Sequence, residues 1–241
     1  MLKTAGVALG PLLEGLWETG TRSVEQSRRL VDAIRKAPAG VFLRELLETP
    51  AGVGAVWPSS QRLARCMATR IDPEGEGLVV ELGAGTGVVT QALLDQGVSP
   101  ERLLVVEQSQ AFVRHLRRRF PGLAVLQGDA ARLSTVLAAH APGRPVDAIV
   151  SSLPLRSLDA AVVSGVLAQC RTLLRPGCPL VQFTYAMKGL PAAGLSDGFL
   201  ALGDTTVWGN LPPARVLTLL RARPRRKANG AGKRSGPCLP E

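Results

Sequence analysis

Three glycines and one acid form the part of this sequence that is best suited to hold a ligand. The stretch VVELGAGTGVVTQAL, residues 79–93, places Glu81 in an apolar run, then Gly83, Gly85 and Gly87 at every second position, and then an amphipathic run. A backbone without Cβ atoms can turn tightly, approach a ligand closely and present its amides at a helix start. The dinucleotide fingerprint would have its third glycine one residue later, where this chain has valine. The spacing therefore disfavours a dehydrogenase.

Two further acids follow the next two apolar runs. Glu107 ends the run RLLVVE, where a carboxylate can accept hydrogen bonds from both hydroxyls of a ribose. Asp129 follows the run LAVLQ. The glycine loop and the two acids, in this order, resemble the cofactor site of class I S-adenosylmethionine-dependent methyltransferases. The resemblance implies S-adenosylmethionine as methyl donor and S-adenosylhomocysteine as product. It places Glu107 at the ribose, Asp129 at the adenine amino group, and Glu81 in support of the loop and the methionine amino group.

The methyl acceptor is expected near SSLPL, residues 151–155. Methyltransferases that act on exocyclic base nitrogens resemble this region, but they carry Asn or Asp, then Pro, then an aromatic residue that stacks the base. Here Ser152 and Leu155 stand in place of the two base-handling residues, and the Pro154 turn is kept. Loss of the aromatic ring removes about 1–3 kcal/mol of stacking per base. The sequence therefore favours a small, flexible amine over a planar base.

Four segments together resemble the soluble bacterial phospholipid N-methyltransferases, which have an rRNA-adenine-dimethylase-like fold. They are FLRELLETPAGVGAVWPSSQRLARCMA (42–68), SSLPL, VQFTY (181–185) and WGNLPPARV (208–216). The resemblance implies stepwise methylation of phosphatidylethanolamine, through its mono- and dimethyl derivatives, towards phosphatidylcholine. It also implies that the loop with Ser59 and Ser60 closes over the cofactor. We expect one of these two serines to cap the helix that follows.

The candidate catalytic residues are Ser152 and Tyr185. Tyr185 is the only tyrosine in the chain, and its ring or hydroxyl could hold an ammonium headgroup through a cation–π contact of about 0.5–2 kcal/mol. The predicted substrate-binding residues are Ser152, Leu153, Pro154 and Tyr185, and Ser151 is placed with the cofactor-binding residues. No residue in the sequence is a convincing general base. The four scattered cysteines and two histidines predict no metal site.

The elements that position these residues are visible as apolar runs of strand length that alternate with helical patterns. Strands are predicted at 77–82, 102–107, 123–127, 146–152, 178–186, 205–210 and 214–223, and helices near 88–96, 109–119, 130–140 and 157–173. Continuous apolar strands separated by helices indicate a parallel sheet covered on both faces. We therefore predict an α/β, Rossmann-like class I methyltransferase fold. Its seven-stranded, mostly parallel sheet has helices on both faces, ends in an antiparallel edge pair and is preceded by N-terminal helices.

The chain is predicted to divide into an N-terminal helical extension (1–70), a methyltransferase domain (71–223) and a disordered basic tail (224–241). The extension and the end of the chain are basic: residues 1–70 hold ten Lys or Arg and six acids, and residues 215–241 hold eight and one. A basic amphipathic helix at 22–36 and the tail could both attach to an anionic membrane surface. Scattered cysteines and the lack of a long apolar run predict a cytoplasmic protein bound peripherally to the inner membrane.

Two other functions stay open from the sequence. Basic ends could hold the phosphates of rRNA or another nucleic acid for adenine N-methylation, although SSLPL makes nucleic acid the less favoured partner. A non-catalytic module that binds an adenosyl ligand at the membrane would keep the same fold. The sequence does not predict an oligomeric state.

Overall fold

The computed structural model describes residues 58–190, 194–210 and 213–223, with side chains from residue 61 onwards. Within these residues a seven-stranded sheet is flanked by helices. The strands are β1 (Leu78–Leu82), β2 (Leu103–Glu107), β3 (Ala124–Gln127), β4 (Val146–Ser151), β5 (Pro179–Thr184), β6 (Phe199–Val207) and β7 (Ala214–Arg221). The helices are α1 (Pro58–Ala68), α2 (Val88–Asp95), α3 (Gln110–Arg119), α4 (Leu133–His140) and α5 (Ala160–Leu173), with a 3-10 turn at Ala130–Arg132. No helix in the described part of the chain combines the length and apolar character needed to cross a bilayer.

The strand order β3-β2-β1-β4-β5-β7-β6 places β1 near the middle of the sheet. The chain moves outwards from β1 through β2 and β3, and then returns to β4 on the other side of β1. All these pairs, and β4 with β5, are parallel, whereas β7 is antiparallel to both β5 and β6. Ligands of open α/β sheets bind at the carboxyl ends of the strands where the strand order reverses. That position lies between the ends of β1 and β4.

Both faces of the sheet are buried, as the continuous apolar runs predict. Alternate residues of β1 face opposite sides: Val80 packs with Leu133 and Leu167 of α4 and α5, and Val79 packs with Met67 and Leu93 of α1 and α2. Because Glu81 is two residues from Val79, its side chain lies on the α1 and α2 side. Its carboxylate is therefore placed within a layer of apolar side chains.

The predicted fold is confirmed, with two corrections to its elements. β6 spans Phe199–Val207 and not 205–210. Its apolar residues Phe199–Leu202 are followed by Gly203 and Asp204, where the pairing register with β7 is irregular, so the sequence does not show one continuous strand. α1 begins at Pro58, so Ser59 and Ser60 lie in its first turn and the prediction that one of them is the N-cap is wrong. Proline suits the first helical position, since its missing N–H has no partner there.

The N-terminal extension is described only from α1 onwards. Leu63 and Met67 of α1, and Ile71 after it, are buried in the same apolar layer as β1. This helix therefore packs as part of the sheet-and-helix core. The predicted helix at 22–36 and the tail at 224–241 lie outside the described residues, and the predicted division of the chain stays a prediction.

Candidate active site

The loops after β1 and β4 are held together at the carboxyl edge of the sheet. The Ser152 N–H donates to the Leu82 carbonyl at 2.9 Å, and the Gly83 N–H donates to the Val106 carbonyl at 2.9 Å. These two bonds join the ends of three neighbouring strands. The glycine loop and SSLPL, which lie about 70 residues apart in the chain, therefore form adjacent walls of one site.

All three loop glycines have left-handed backbone conformations, with φ of 70° at Gly83, 55° at Gly85 and 82° at Gly87. Gly87 is the N-cap of α2, so the loop leads directly to that helix start. A Cβ atom on Gly83 would lie 2.7 Å from the Leu153 side chain. All three glycines therefore suit the left-handed turn, and Gly83 is also required by the close approach of the acceptor loop.

Glu107 connects the glycine loop to the start of α3. One carboxylate oxygen accepts the Gly85 N–H at 3.0 Å, and the other accepts the Ser109 N–H at 2.8 Å. The residue is buried, and these bonds fix its carboxylate at the edge of the loop. Because a carboxylate has about four acceptor positions, two remain for the hydroxyl pair of a ribose.

Glu81 is a fully buried acid directly beneath the loop. One carboxylate oxygen accepts the Thr90 hydroxyl at 2.7 Å, and the other has no hydrogen-bond partner among the described residues. Burial raises the pKa of Glu81 to about 8; the Thr90 bond opposes this shift, and the Glu107 charge adds to it. The side chain therefore supports the loop through α2 and keeps one polar atom available to a cationic group.

Asp129 lies beside Glu107 at the same edge. The Gly128 N–H donates to the Glu107 carbonyl at 3.1 Å, and Asp129 accepts the Ala131 N–H at 2.8 Å as the N-cap of the 3-10 turn. The structure thus brings together the two acids that the sequence placed at the ribose and the adenine. The capping bond orients the partly exposed carboxylate, and a carboxylate has further acceptor positions for an amino group.

The acceptor loop contains a serine hydroxyl without a partner. The Ser151 hydroxyl accepts the Leu153 N–H at 3.4 Å. The Ser152 hydroxyl oxygen is buried and has no hydrogen-bond partner among the described residues. Leu155, at the position of the missing aromatic residue, is buried in the hydrophobic core. A leucine that points into the core cannot stack a base, so the loop presents Ser152 without an aromatic platform.

Gln182 of β5 holds the acceptor loop from behind, and the sequence analysis did not identify it. Its side-chain amide donates to the Leu153 carbonyl at 3.0 Å and to the Phe183 carbonyl at 2.7 Å. Because Gln182 is buried, these bonds fix the position of the loop. A polar residue inside the apolar run CPLVQFTYA was the available signal, since a buried amide requires partners.

Tyr185 follows the end of β5 at the same edge. Its ring lies edge-to-face with Phe183, with centroids 5.5 Å apart. Burial raises the pKa of Tyr185, and a hydrogen bond with the Asn210 side chain opposes that shift. Its hydroxyl is therefore engaged with the β6–β7 turn, and its ring packs against the apolar layer of α1. No hydrogen bond between described residues joins Tyr185 to Ser152, and the catalytic roles predicted for both stay predictions.

The side chains of Ser59 and Ser60 lie outside the described part of the chain, so their predicted contact with the cofactor stays a prediction. Thr90 and Asn210 are two further partners that the sequence analysis missed. Each becomes visible only through the folded contact with Glu81 or Tyr185. In the described ranges, no three His, Cys, Asp or Glu side chains gather as a metal site would require.

The sheet order, the glycine loop and the acids at successive strand ends define a class I methyltransferase site. A family described as "Methyltransferase domain" matches residues 79–177. The ornithine lipid N-methyltransferase of Singulisphaera acidiphila is 32% identical over 148 residues, covering 60% of this chain and 76% of that protein. The chain belongs to the class I S-adenosylmethionine-dependent methyltransferases, and its cofactor is S-adenosylmethionine.

Other similar proteins are methyltransferases with different names. A ribosomal RNA small subunit methyltransferase A of Leptothrix cholodnii is 34% identical over 84 residues, which are 35% of this chain and 29% of that protein. The N-methyltransferase NodS from Bradyrhizobium japonicum, solved with S-adenosyl-L-homocysteine, has a TM-score of 0.56 at 14% identity, covering 74% of this chain and 98% of that one. The magnesium protoporphyrin IX methyltransferase of Synechocystis, solved with bound SAM, has a TM-score of 0.53 at 13% identity, covering 77% and 98%. These structures share the fold.

Proposed function

We propose that this enzyme methylates the amino group in the headgroup of a membrane lipid. Phosphatidylethanolamine and its mono- and dimethyl derivatives, on the way to phosphatidylcholine, are the acceptors proposed from the sequence. Ornithine lipid also carries an amine and is the substrate in the name of the relative from Singulisphaera acidiphila. The observation that carries the proposal is the acceptor loop, in which Leu155 is buried in the core and leaves no stacking platform for a nucleobase.

The acceptor loop offers a small polar site that suits an amine. The buried Ser152 hydroxyl can accept a hydrogen bond from an amine N–H, whereas the Leu153 carbonyl already accepts the Gln182 amide. The Tyr185 ring offers a face for a cationic headgroup. These groups position the amine close to the glycine loop, and such positioning can supply much of a displacement reaction's rate.

The cofactor supplies an electrophilic methyl group, and the residues of this chain hold the reactants. The amine must be unprotonated to attack. A tyrosine phenol is protonated at neutral pH, and burial raises the pKa of Tyr185 further from neutral. Glu81 lies beneath the loop with its carboxylate bonded to Thr90. Neither group is placed as a general base, so we propose that the amine loses its proton to solvent or to the lipid phosphate before attack.

Access to such a substrate requires contact with a membrane surface. We propose peripheral attachment, supported by the positive charge of residues 1–70 and 215–241. Each basic residue near an anionic surface contributes about 1 kcal/mol. The proposed place of action is therefore the cytoplasmic leaflet of the membrane.

The test is methyl transfer from labelled S-adenosylmethionine to separate vesicles that contain phosphatidylethanolamine or ornithine lipid, with rRNA as the competing acceptor. Label is expected in an amine lipid and not in RNA. Label in RNA alone would overturn the proposal and favour a nucleic-acid methyltransferase. A nucleic-acid methyltransferase is the alternative function because the ends of the chain are basic and one relative is named as a ribosomal RNA methyltransferase.

Replacement of Glu107 by Gln tests the cofactor site in a separate binding measurement. The change removes the charge that accepts the Gly85 and Ser109 amides and faces the predicted ribose. A charge-assisted hydrogen bond contributes about 1.5–3 kcal/mol, so we expect cofactor affinity to fall by roughly tenfold or more. Isothermal titration calorimetry measures the loss. Glu101→Gln, an exposed acid just before the same strand, is the matched control and should bind normally. Unchanged affinity in a folded Glu107→Gln variant would remove the ribose assignment.

A further inference from the structure

Exposed apolar side chains gather at the carboxyl edge of the sheet, beyond the catalytic loops. Trp208 is 73% exposed, Met187 is 43% exposed and Leu190 is 38% exposed. The exposed Lys188 lies between the latter two in the chain. These four residues, Met187, Lys188, Leu190 and Trp208, are here called the edge cluster. Large apolar side chains left in water at one edge indicate an interaction surface.

The strand register places the edge cluster beside the acceptor site. Thr184, at the end of β5, is opposite Arg215, and Val207, at the end of β6, is opposite Ala214. β5 and β6 therefore end at the same level, and β5 runs parallel to β4, which carries the acceptor loop. The segments that follow the two strands, 186–190 and 208–210, lie on the same edge as that loop.

Hydrogen bonds hold both segments in place. The Arg215 guanidinium donates to the Ala186 carbonyl at 3.1 Å and to the Gly189 carbonyl at 3.0 Å, and it is paired with Asp204. Asn210, two residues after Trp208, bonds to the hydroxyl of Tyr185. Because Arg215 is buried, the exposure of the edge cluster is built into the fold.

The charges around the edge cluster are positive. A Cβ atom on Gly209 would lie 3.2 Å from the Cδ atom of Arg62, so this exposed arginine of α1 lies against the residue that follows Trp208. Lys188 adds a second positive charge, and neither segment 186–190 nor 208–210 contains an acid. The nearby acid Asp204 is already paired with Arg215.

We propose that the edge cluster is the surface on which this enzyme docks to an anionic lipid bilayer, so that the acceptor loop faces the headgroups. The proposal rests on the proposed function and adds the orientation of the enzyme on the membrane. Tryptophan prefers the interface between headgroups and acyl chains, because its ring is apolar and its N–H is polar. Lysine and arginine beside it can extend to lipid phosphates while their carbon chains stay in the apolar layer.

The test is flotation of the full chain with vesicles of phosphatidylcholine and phosphatidylglycerol. Trp208→Ser and the double variant Met187→Ser with Leu190→Ser should each bind these vesicles several-fold more weakly, with roughly tenfold expected for tryptophan from the apolar area that it buries. Leu202→Ser is the matched control. Leu202 is 56% exposed on β6, the strand that ends just before Trp208, but it lies about six residues, or roughly 20 Å, before Trp208. This variant should float like the parent.

A second measurement locates Trp208 directly. Trp208 becomes the only tryptophan when Trp17 and Trp57 are replaced by phenylalanine, and its fluorescence should be quenched by lipids that are brominated in their acyl chains. Transfer to lipid in detergent micelles, and the unfolding temperature, should be unchanged in the edge-cluster variants.

Equal flotation of Trp208→Ser and the parent, or an equal loss in Leu202→Ser, would overturn the docking proposal. Unchanged flotation together with weaker binding of single-stranded RNA would assign the edge to nucleic acid instead. A failure of the proposed function would give a different result. In that case the parent protein would still float with vesicles but would transfer no methyl group to lipid, even in micelles.

Discussion

At the scale of single residues, the site depends on two carboxylates with different environments. Glu107 accepts two backbone N–H groups, whereas Glu81 accepts one hydroxyl within an apolar layer. Desolvation disfavours the charged form of a buried acid. Glu81 is therefore largely protonated at neutral pH, consistent with its pKa of about 8, and Glu107 is the acid that is held by backbone donors at the cofactor loop.

The pKa of Glu81 predicts a pH-dependent stability. The pKa is near 4.5 in the unfolded chain and about 8 in the folded protein, so the folded state binds more protons between these values. The free energy of unfolding should therefore fall as pH rises through this window, by at most about 1.4 kcal/mol per pH unit from this group, and level off above the folded pKa. Glu81→Gln should lack this component. Denaturant unfolding at a series of pH values measures how steeply the free energy of unfolding changes with pH in the parent and in Glu81→Gln.

Glu101→Gln is the control for that experiment and should keep the slope of the parent. Thr90→Val should extend the fall to higher pH, since it removes the hydroxyl that lowers the folded pKa of Glu81 and leaves the unfolded pKa unchanged. Parallel pH profiles for the parent and Glu81→Gln would mean that Glu81 is ionised in the folded state.

At the scale of elements, the glycine loop and the acceptor loop constrain each other. The bond from the Ser152 N–H to the Leu82 carbonyl joins them, and the Leu153 side chain fills the space that a Cβ on Gly83 would need. Gln182 then fixes the other side of the acceptor loop. A change in either loop should therefore alter the binding of both the cofactor and the acceptor.

Gly83→Ala separates the cost of the loop contact from the cost of the backbone conformation. Gly143 has nearly the same φ, 73° against 70°, but nothing lies within 4 Å of its Cβ position. Both alanine variants should lose the roughly 1–2 kcal/mol that a left-handed conformation costs. Gly83→Ala should lose additional stability and also cofactor affinity, because its methyl group overlaps Leu153. Thermal unfolding and calorimetric titration of both variants measure the difference, and equal behaviour would exclude a role for the contact.

At the scale of the whole molecule, charge is separated from the catalytic core. Residues 71–214 hold eleven Lys or Arg and twelve acids, so they are nearly neutral, whereas both flanking regions are basic. In the proposed membrane attachment, the basic ends of the chain would supply long-range attraction to an anionic surface, and the edge cluster would supply short-range apolar contact. The two contributions differ in their response to salt, since exposed charges lose most of their reach beyond about 8 Å at physiological ionic strength.

Deletion of residues 224–241 tests this separation. The deletion removes five Lys or Arg and one Glu, so flotation with anionic vesicles should weaken and become less dependent on salt. Activity on lipid in micelles should persist, because the described strands end before the deleted segment. Flotation at low and high salt beside a micelle assay measures both effects. Equal flotation with and without the tail would leave residues 22–36 and the edge cluster as the candidate membrane contacts.

The amino-acid sequence was sufficient to predict the succession of strands and helices along the chain and the position of the cofactor loop. Continuous apolar runs report strands buried on both faces, and Gly83, Gly85 and Gly87 report a backbone that only glycine readily adopts. These signals are local, so they can be read without a fold. β6 was misplaced for a different reason: Gly203 and Asp204 follow its apolar residues Phe199–Leu202, so a strand that continues through them to Val207 was not recognised.

Which side chains meet depends on the folded arrangement of the elements. Thr90 joins Glu81, Gln182 joins the Leu153 carbonyl, and Asn210 joins Tyr185. None of these pairs has a fixed spacing in the chain, because each depends on how a strand register or a helix crossing brings two elements together. The raised pKa of Glu81 has the same origin, since burial among residues of α1 and α2 is a property of the packed core and not of the local sequence.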